Sequence, residues 1–140
     1  MPDRILVKSQ GCDAYGIRLA LAEANLLGQK LKCNVVICVL DKKDVASTAL
    51  GEVIPAHRIK KMARGLSIQL TPIVTATIES VRTIATQKGP TIVVALFAVT
   101  EIMNTIDSMP DCKAVIMVPA SEKDGENWKE KWSARVMPDN

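Results

Sequence analysis

The sequence predicts a single α/β domain built on a five-stranded, mostly parallel sheet with helices on both faces. Three observations carry this. Short apolar runs alternate along the chain with amphipathic stretches at helical spacing. The runs are continuously apolar rather than alternating, as in strands buried on both faces. Hydrophobic residues make up 48% of the chain but aromatics only 3%, so the core must be Val, Ile, Leu, Ala and Met, which suits layered packing. At 140 residues the chain is one domain by length, large enough to bury a core without disulfides or metal.

Residues 4–31, RILVKSQGCDAYGIRLALAEANLLGQKL, set the pattern. Ile5, Leu6 and Val7 form a strand, Ser9 to Asp13 a polar turn with Gly11 and Cys12, and the remainder a helix. Ile17, Leu21, Ala24, Leu27 and Leu31 recur every three or four residues on one face of it, whereas Arg18, Glu23, Asn25, Gln29 and Lys30 mostly take the other. Residues 34–40, NVVICVL, make a second buried strand, closed by Asp41, Lys42, Lys43 and Asp44. Residues 45–55 are a loop or short helix, and 56–65 a short helix with Ile59, Met62 and Ala63 inward and Gly65 just past its end. Residues 68–75, IQLTPIVT, read as a third strand, at an edge or bulged because Pro72 cannot donate to a ladder. A helix from Ile78 to Lys88, with Ile78, Val81, Ile84 and Ala85 as its stripe, ends at Gly89 and Pro90.

The fourth strand, TIVVALFA at 91–98, is the most apolar run and belongs at the sheet centre. Thr100 caps a helix through about Ser108, and 113–119, KAVIMVP, is the fifth strand. Residues 1–120 then form the domain and 121–140 a tail. The tail holds Trp128 and Trp132 four apart on one helical face, a large apolar surface. That face is expected to pack back on the domain, the alternative being a second copy of the chain. A homodimer is the expected assembly.

With 18 basic and 15 acidic residues the net charge is only +3, too balanced to indicate nucleic acid. The one basic cluster, His57, Arg58, Lys60, Lys61 and Arg64, reads as a solvated helix face. The N-terminus has no charged leader with an apolar run, and no stretch approaches the roughly 20 apolar residues of a membrane span, so a soluble cytoplasmic protein is expected. The four cysteines have no CxxC spacing, and a single histidine excludes a His-rich metal site. Cys38 reads as a small buried hydrophobe. Asp41 and Asp44 have Lys42 and Lys43 between them and read as a solvated turn rather than a magnesium site.

Ligands of parallel α/β sheets sit at the carboxyl ends of the strands. The candidate binding residues are therefore Gln10, Gly11, Cys12 and Asp13 after the first strand, Asp41 after the second, and Ala98, Val99 and Thr100 after the fourth. No group of base, nucleophile and orienting residue is visible.

Residues RILV with QGC at 10–12, LLGQKLKCNVVICVL, TIESVRTIATQKGPTIVVALF and DCKAVIMVP together make a pattern over 4–119 that resembles the universal stress protein family. The resemblance implies a Rossmann-like, three-layer sandwich with a five-stranded parallel sheet, and an adenine nucleotide as its ligand. This chain departs from the family where phosphates are held. Gln10 stands where nucleotide-binding members carry Asp, and residues 97–111, FAVTEIMNTIDSMPD, contain no glycine. A backbone cradle for phosphate needs positive φ and close approach, which glycine gives without strain. The expectation is a dimeric regulatory or binding protein with a degenerate nucleotide site, no cofactor and no catalytic residues.

Two enzyme-like patterns stand beside it. Cys12 and Arg18 form a C-x5-R arrangement similar to the phosphate loop of low-molecular-weight tyrosine phosphatases and arsenate reductases, with Leu19 where Ser or Thr would follow. The alternation also resembles the DsrE-like sulfur-relay fold, whose sulfur-transferring members use a reactive cysteine; Cys112, before the last strand, is the candidate, but with Lys113 the one basic residue near it in sequence it reads as a plain thiol.

Overall fold

The computed structural model describes residues 2–8, 14–39, 50–80, 82–84 and 89–137. Among them the chain runs β1 (Asp3–Val7), α1 (Ala14–Leu31), β2 (Asn34–Val39), α2 (Leu50–Val53), α3 (Ala56–Ala63), β3 (Ile68–Thr71), β4 (Val74–Ser80), β5 (Thr91–Ala98), α4 (Thr100–Asp107), β6 (Cys112–Pro119), α5 (Glu122–Trp132) and β7 (Arg135–Met137). The strands form one sheet in the order β3-β4-β2-β5-β6-β1-β7. Every neighbouring pair is parallel except the β3–β4 hairpin. β5 sits at the centre, as its unbroken apolar run predicts.

Alternate strand residues feed two cores, because successive side chains of a strand point to opposite faces. Ile5, Val7, Val35, Ile37, Ile92, Val94 and Ile116 pack under α1, α2 and α3. Leu6, Val36, Cys38, Val93, Ala95, Val115 and Met117 pack under α4 and α5. α1 crosses the middle of the sheet, lying mainly over β5 and β6. Its buried residues include Ile17, Ala20, Leu21, Ala24, Leu27 and Gly28. α3 ends as its sequence predicts. Gly65 adopts φ +86°, its N–H donates to Met62 O at 2.9 Å, and the Leu66 N–H donates to Lys61 O at 3.2 Å, which is a Schellman closure.

Among the described residues the sheet has seven strands rather than the expected five. The expected third strand over 68–75 breaks at Pro72, where the Thr71 hydroxyl accepts from the Ile73 and Val74 N–H groups at 3.3 and 3.1 Å. The chain turns there and returns as β4, leaving β3 at the sheet edge with an irregular register between Gln69 and Thr71. Ile78, expected to open a helix, lies in β4 opposite Ile37 of β2. Val74, Ala76 and Ile78 are buried and the residues between them less so, which is strand alternation. The seventh strand, β7, pairs parallel with β1.

The Trp-bearing helix packs on the sheet. Trp128 is buried in the core under α4 and α5, and Trp132 lies half-buried beside it. Among the described residues, no helix is long and apolar enough to cross a membrane.

Candidate functional site

In a parallel sheet, a crevice opens at the carboxyl edge where adjacent strands send their connections to opposite faces. Here this happens at two places, between β2 and β5 and between β6 and β1: β2 leads toward α2 and α3 and β1 toward α1 on one face, whereas β5 leads into α4 and β6 into α5 on the other. Ala98, Val99 and Thr100 stand at this edge, with Ala98 buried and Thr100 exposed. Gln10, Gly11, Cys12, Asp13 and Asp41 lie outside the described residues.

Strand order still constrains how the expected site residues relate. β5 and β6 separate β2 from β1, so at about 4.8 Å per strand the carboxyl ends of β1 and β2 are roughly 14 Å apart. The chain thus leaves the sheet after β1 and after β2 at well-separated points. β1 and β5 flank the end of β6, where the Ala120 N–H donates to Ala98 O at 3.0 Å.

β5 ends irregularly. Leu96 pairs with Val118 and Ala98 with Pro119, and the register shifts between them at Phe97. Phe97 takes φ +55°, a left-handed conformation that costs a residue with a Cβ about 1–3 kcal/mol. The bulge carries the chain off the sheet and into α4.

α4 starts at Thr100, and Val99 rather than Thr100 is its N-cap, with no side-chain cap. The cap comes from elsewhere in the chain. Asp124 Oδ1 accepts from both the backbone N–H and the hydroxyl of Thr100, at 3.2 and 3.1 Å. Asp124 sits in the first turn of α5, whose N-cap Ser121 accepts from the Asp124 N–H at 3.2 Å and donates its hydroxyl to Asp124 Oδ2 at 2.7 Å. One carboxylate therefore serves the positive ends of two helices. The Ser121 hydroxyl, foremost, and the Thr100 donors hold the Asp124 carboxyl below its usual range. The Ser121-x-x-Asp124 spacing is a capping-box signature, and it is the signal in the sequence for this residue; its reach to α4 has none.

The remaining sequence candidates separate physically. Cys112 is buried, donates its thiol to Ala114 O at 3.3 Å, and is pushed up to about 11 by burial. Burial pushes Cys38 up to about 12. Neither is a thiolate at neutral pH, which a sulfur carrier requires. Arg18 is exposed in the second turn of α1 and donates to Glu52 O at 3.5 Å. His57 and its basic neighbours are exposed on α3. Among the described residues, no group of three His, Cys, Asp or Glu is placed to hold a metal ion.

A cavity of about 310 Å³ opens at the opposite edge of the sheet, lined by Pro2, Asp3, Arg4, Ile5, Trp132, Ser133 and Arg135. Two of the lining residues, Arg4 and Trp132, are tied into the fold. Arg4 Nε donates to Asp107 Oδ1 at 3.0 Å, Trp128 Nε1 donates to Asp107 Oδ2 at 2.9 Å, and the Arg4 guanidinium lies 3.6 Å over the Trp132 ring. Arg4's charge is thus already balanced inside the fold.

No family model, curated protein or solved structure matches this chain.

Proposed function

We propose that the chain is a small, non-catalytic regulatory or binding protein with a degenerate nucleotide site, in which its own Asp124 stands where a phosphate would. The observation that carries this is the double donation from Thr100 to Asp124 Oδ1. A helix N-terminus beyond a central strand is where a phosphate is held in nucleotide-binding α/β folds. With a carboxylate there, an incoming phosphate meets a like charge and a donor pair already in use.

The likeness to universal stress proteins supports the reading only through the strand-and-helix pattern and the layered sheet. Doubly wound folds of the dinucleotide- and flavin-binding types keep their first two strands adjacent, whereas here β5 and β6 intervene. The Thr100–Asp124 pair is the firmer support. A cytoplasmic setting suits the unpaired Cys33, Cys38 and Cys112.

Isothermal titration with ATP at millimolar concentration tests this. The wild-type protein is expected to give no saturable heat, and saturable binding would sink the reading. Hydrolysis of p-nitrophenyl phosphate that disappears in Cys12→Ser would instead establish the phosphatase pattern.

A further inference from the structure

α1 is apolar on two faces. One is the buried stripe through Ile17, Ala20, Ala24 and Leu27. The other, on the opposite side, runs through Tyr15, Leu19, Ala22 and Leu26, at spacings of four, three and four residues. Tyr15 is 60% and Leu26 63% exposed, Ala22 is exposed, and Leu19 is half-buried, packing in part against the core under α1, α2 and α3. Scattered exposed apolar residues need no explanation, but a stripe at this spacing has the period of a helix–helix seam. At 1.5 Å per residue it extends about 16 Å.

We propose that this stripe is the contact with a second copy of the chain, the two α1 helices packing side by side and parallel about a two-fold axis. The flanking charges choose both the occupant and the direction. With Leu19 and Leu26 at a positions and Tyr15 and Ala22 at d, Arg18 falls at g and Glu23 at e. In a parallel pair, a g residue faces the e residue five further along the second helix. Arg18 of each copy then meets Glu23 of the other, twice by symmetry. In an antiparallel pair g faces g and e faces e, so a pairing centred on the stripe sets Arg18 against Asn25 and gives Glu23 no cation. The surface complements itself in one direction only.

Both partners are already steered along the flanks. Glu23 Oε1 accepts from Arg135 Nη2 at 3.0 Å with its side chain 16% exposed, and Arg18, exposed, makes a long bond to Glu52 O through one of several N–H groups. The small Ala22 at the middle of the seam permits close approach. The Trp128 surface, the other apolar face on a helix, is taken up by the chain's own core.

Sedimentation velocity across a concentration series tests the proposal. The wild-type chain is expected to be a dimer, and Leu26→Glu to weaken it at least tenfold, on the order expected when a seam residue is replaced by a charge. Arg18→Glu is also expected to weaken it, and Arg18→Glu combined with Glu23→Arg to restore it. Far-ultraviolet circular dichroism is expected to be unchanged throughout, since the altered side chains do not belong to either core. A monomeric wild type, or a dimer indifferent to Leu26→Glu, overturns the seam. Failure of the charge swap to restore association overturns the parallel pairing.

Discussion

Asp107 and Arg4 meet across 103 residues of sequence, Nε to Oδ1 at 3.0 Å, with side chains only 5% and 7% exposed. Asp107 closes α4 and carries the wrong sign for a helix C-terminus, so its position depends on Arg4 and on the indole of Trp128. Removing one partner of a buried pair leaves the other charge uncompensated, at about 3–5 kcal/mol. Losing a neutral donor to the same group costs about 1–3 kcal/mol. Urea unfolding should therefore rank Asp107→Ala well above Trp128→Phe; equal losses would show that Arg4 adds nothing to the junction of β1, α4 and α5.

Asp124 predicts a weak acid dependence of known sign. Its folded carboxyl lies below the unfolded value, mainly through the Ser121 hydroxyl, so its contribution is present above about pH 4 and is lost as pH falls through the folded value. Asp124→Asn should flatten that part of the stability–pH curve. Ser121→Ala, which removes the cap of α5, should cost about 1 kcal/mol. An unchanged acid limb in Asp124→Asn would mean that the carboxylate is idle.

These two sites differ in how far the sequence reveals them. The period-3.6 stripe of α1 and the apolar runs of β2, β5 and β6 announce themselves, because local pattern and tertiary burial agree there. Residues 74–85 satisfy two periods at once: Ile78, Val81, Ile84 and Ala85 recur as on a helix, while Val74, Ala76 and Ile78 alternate as on a strand. Pairing with β2 decides for the strand over Val74–Ser80, and such pairing is not a property of the segment. β7 is three residues long, too short to show a period. Sheet order is likewise a tertiary outcome, so the separation of β1 from β2 has no local signature. The strand-end rule points to Ala98 to Thr100, but the group that fills the helix end there, Asp124, comes from a segment whose composition is that of a tail.

The cysteines predict an alkaline limb. Cys38 and Cys112 are raised to about 12 and about 11 by burial, and burial raises Cys33 as well. A raised folded value gives stability present below the unfolded value near pH 9 and lost as pH climbs through the folded ones. With Ellman's reagent at pH 8, at most one of the four thiols, Cys12, should react rapidly in the native protein, and all four in guanidinium. Rapid modification of Cys112 without unfolding would contradict its burial.

Gly28 predicts a reversal of ordinary helix propensity. In the interior of α1, alanine is normally better than glycine by about 1 kcal/mol. A Cβ at Gly28, however, would stand 3.0 Å from Val74 Cγ1 and 3.1 Å from the Cys33 carbonyl oxygen, and that carbonyl belongs to the turn entering β2. The Gly28 carbonyl itself accepts from the Cys33 N–H at 3.0 Å, so helix and turn cannot separate without losing that bond. Overpacking of this kind costs about 1–3 kcal/mol, and Gly28→Ala should be net destabilising in urea. Val74→Ala removes the nearer contact at the price of its own cavity. The double variant should then be more stable than the sum of the two losses, a positive coupling confined to residues in contact. Simple additivity would place α1 further from β4 than the structure has it.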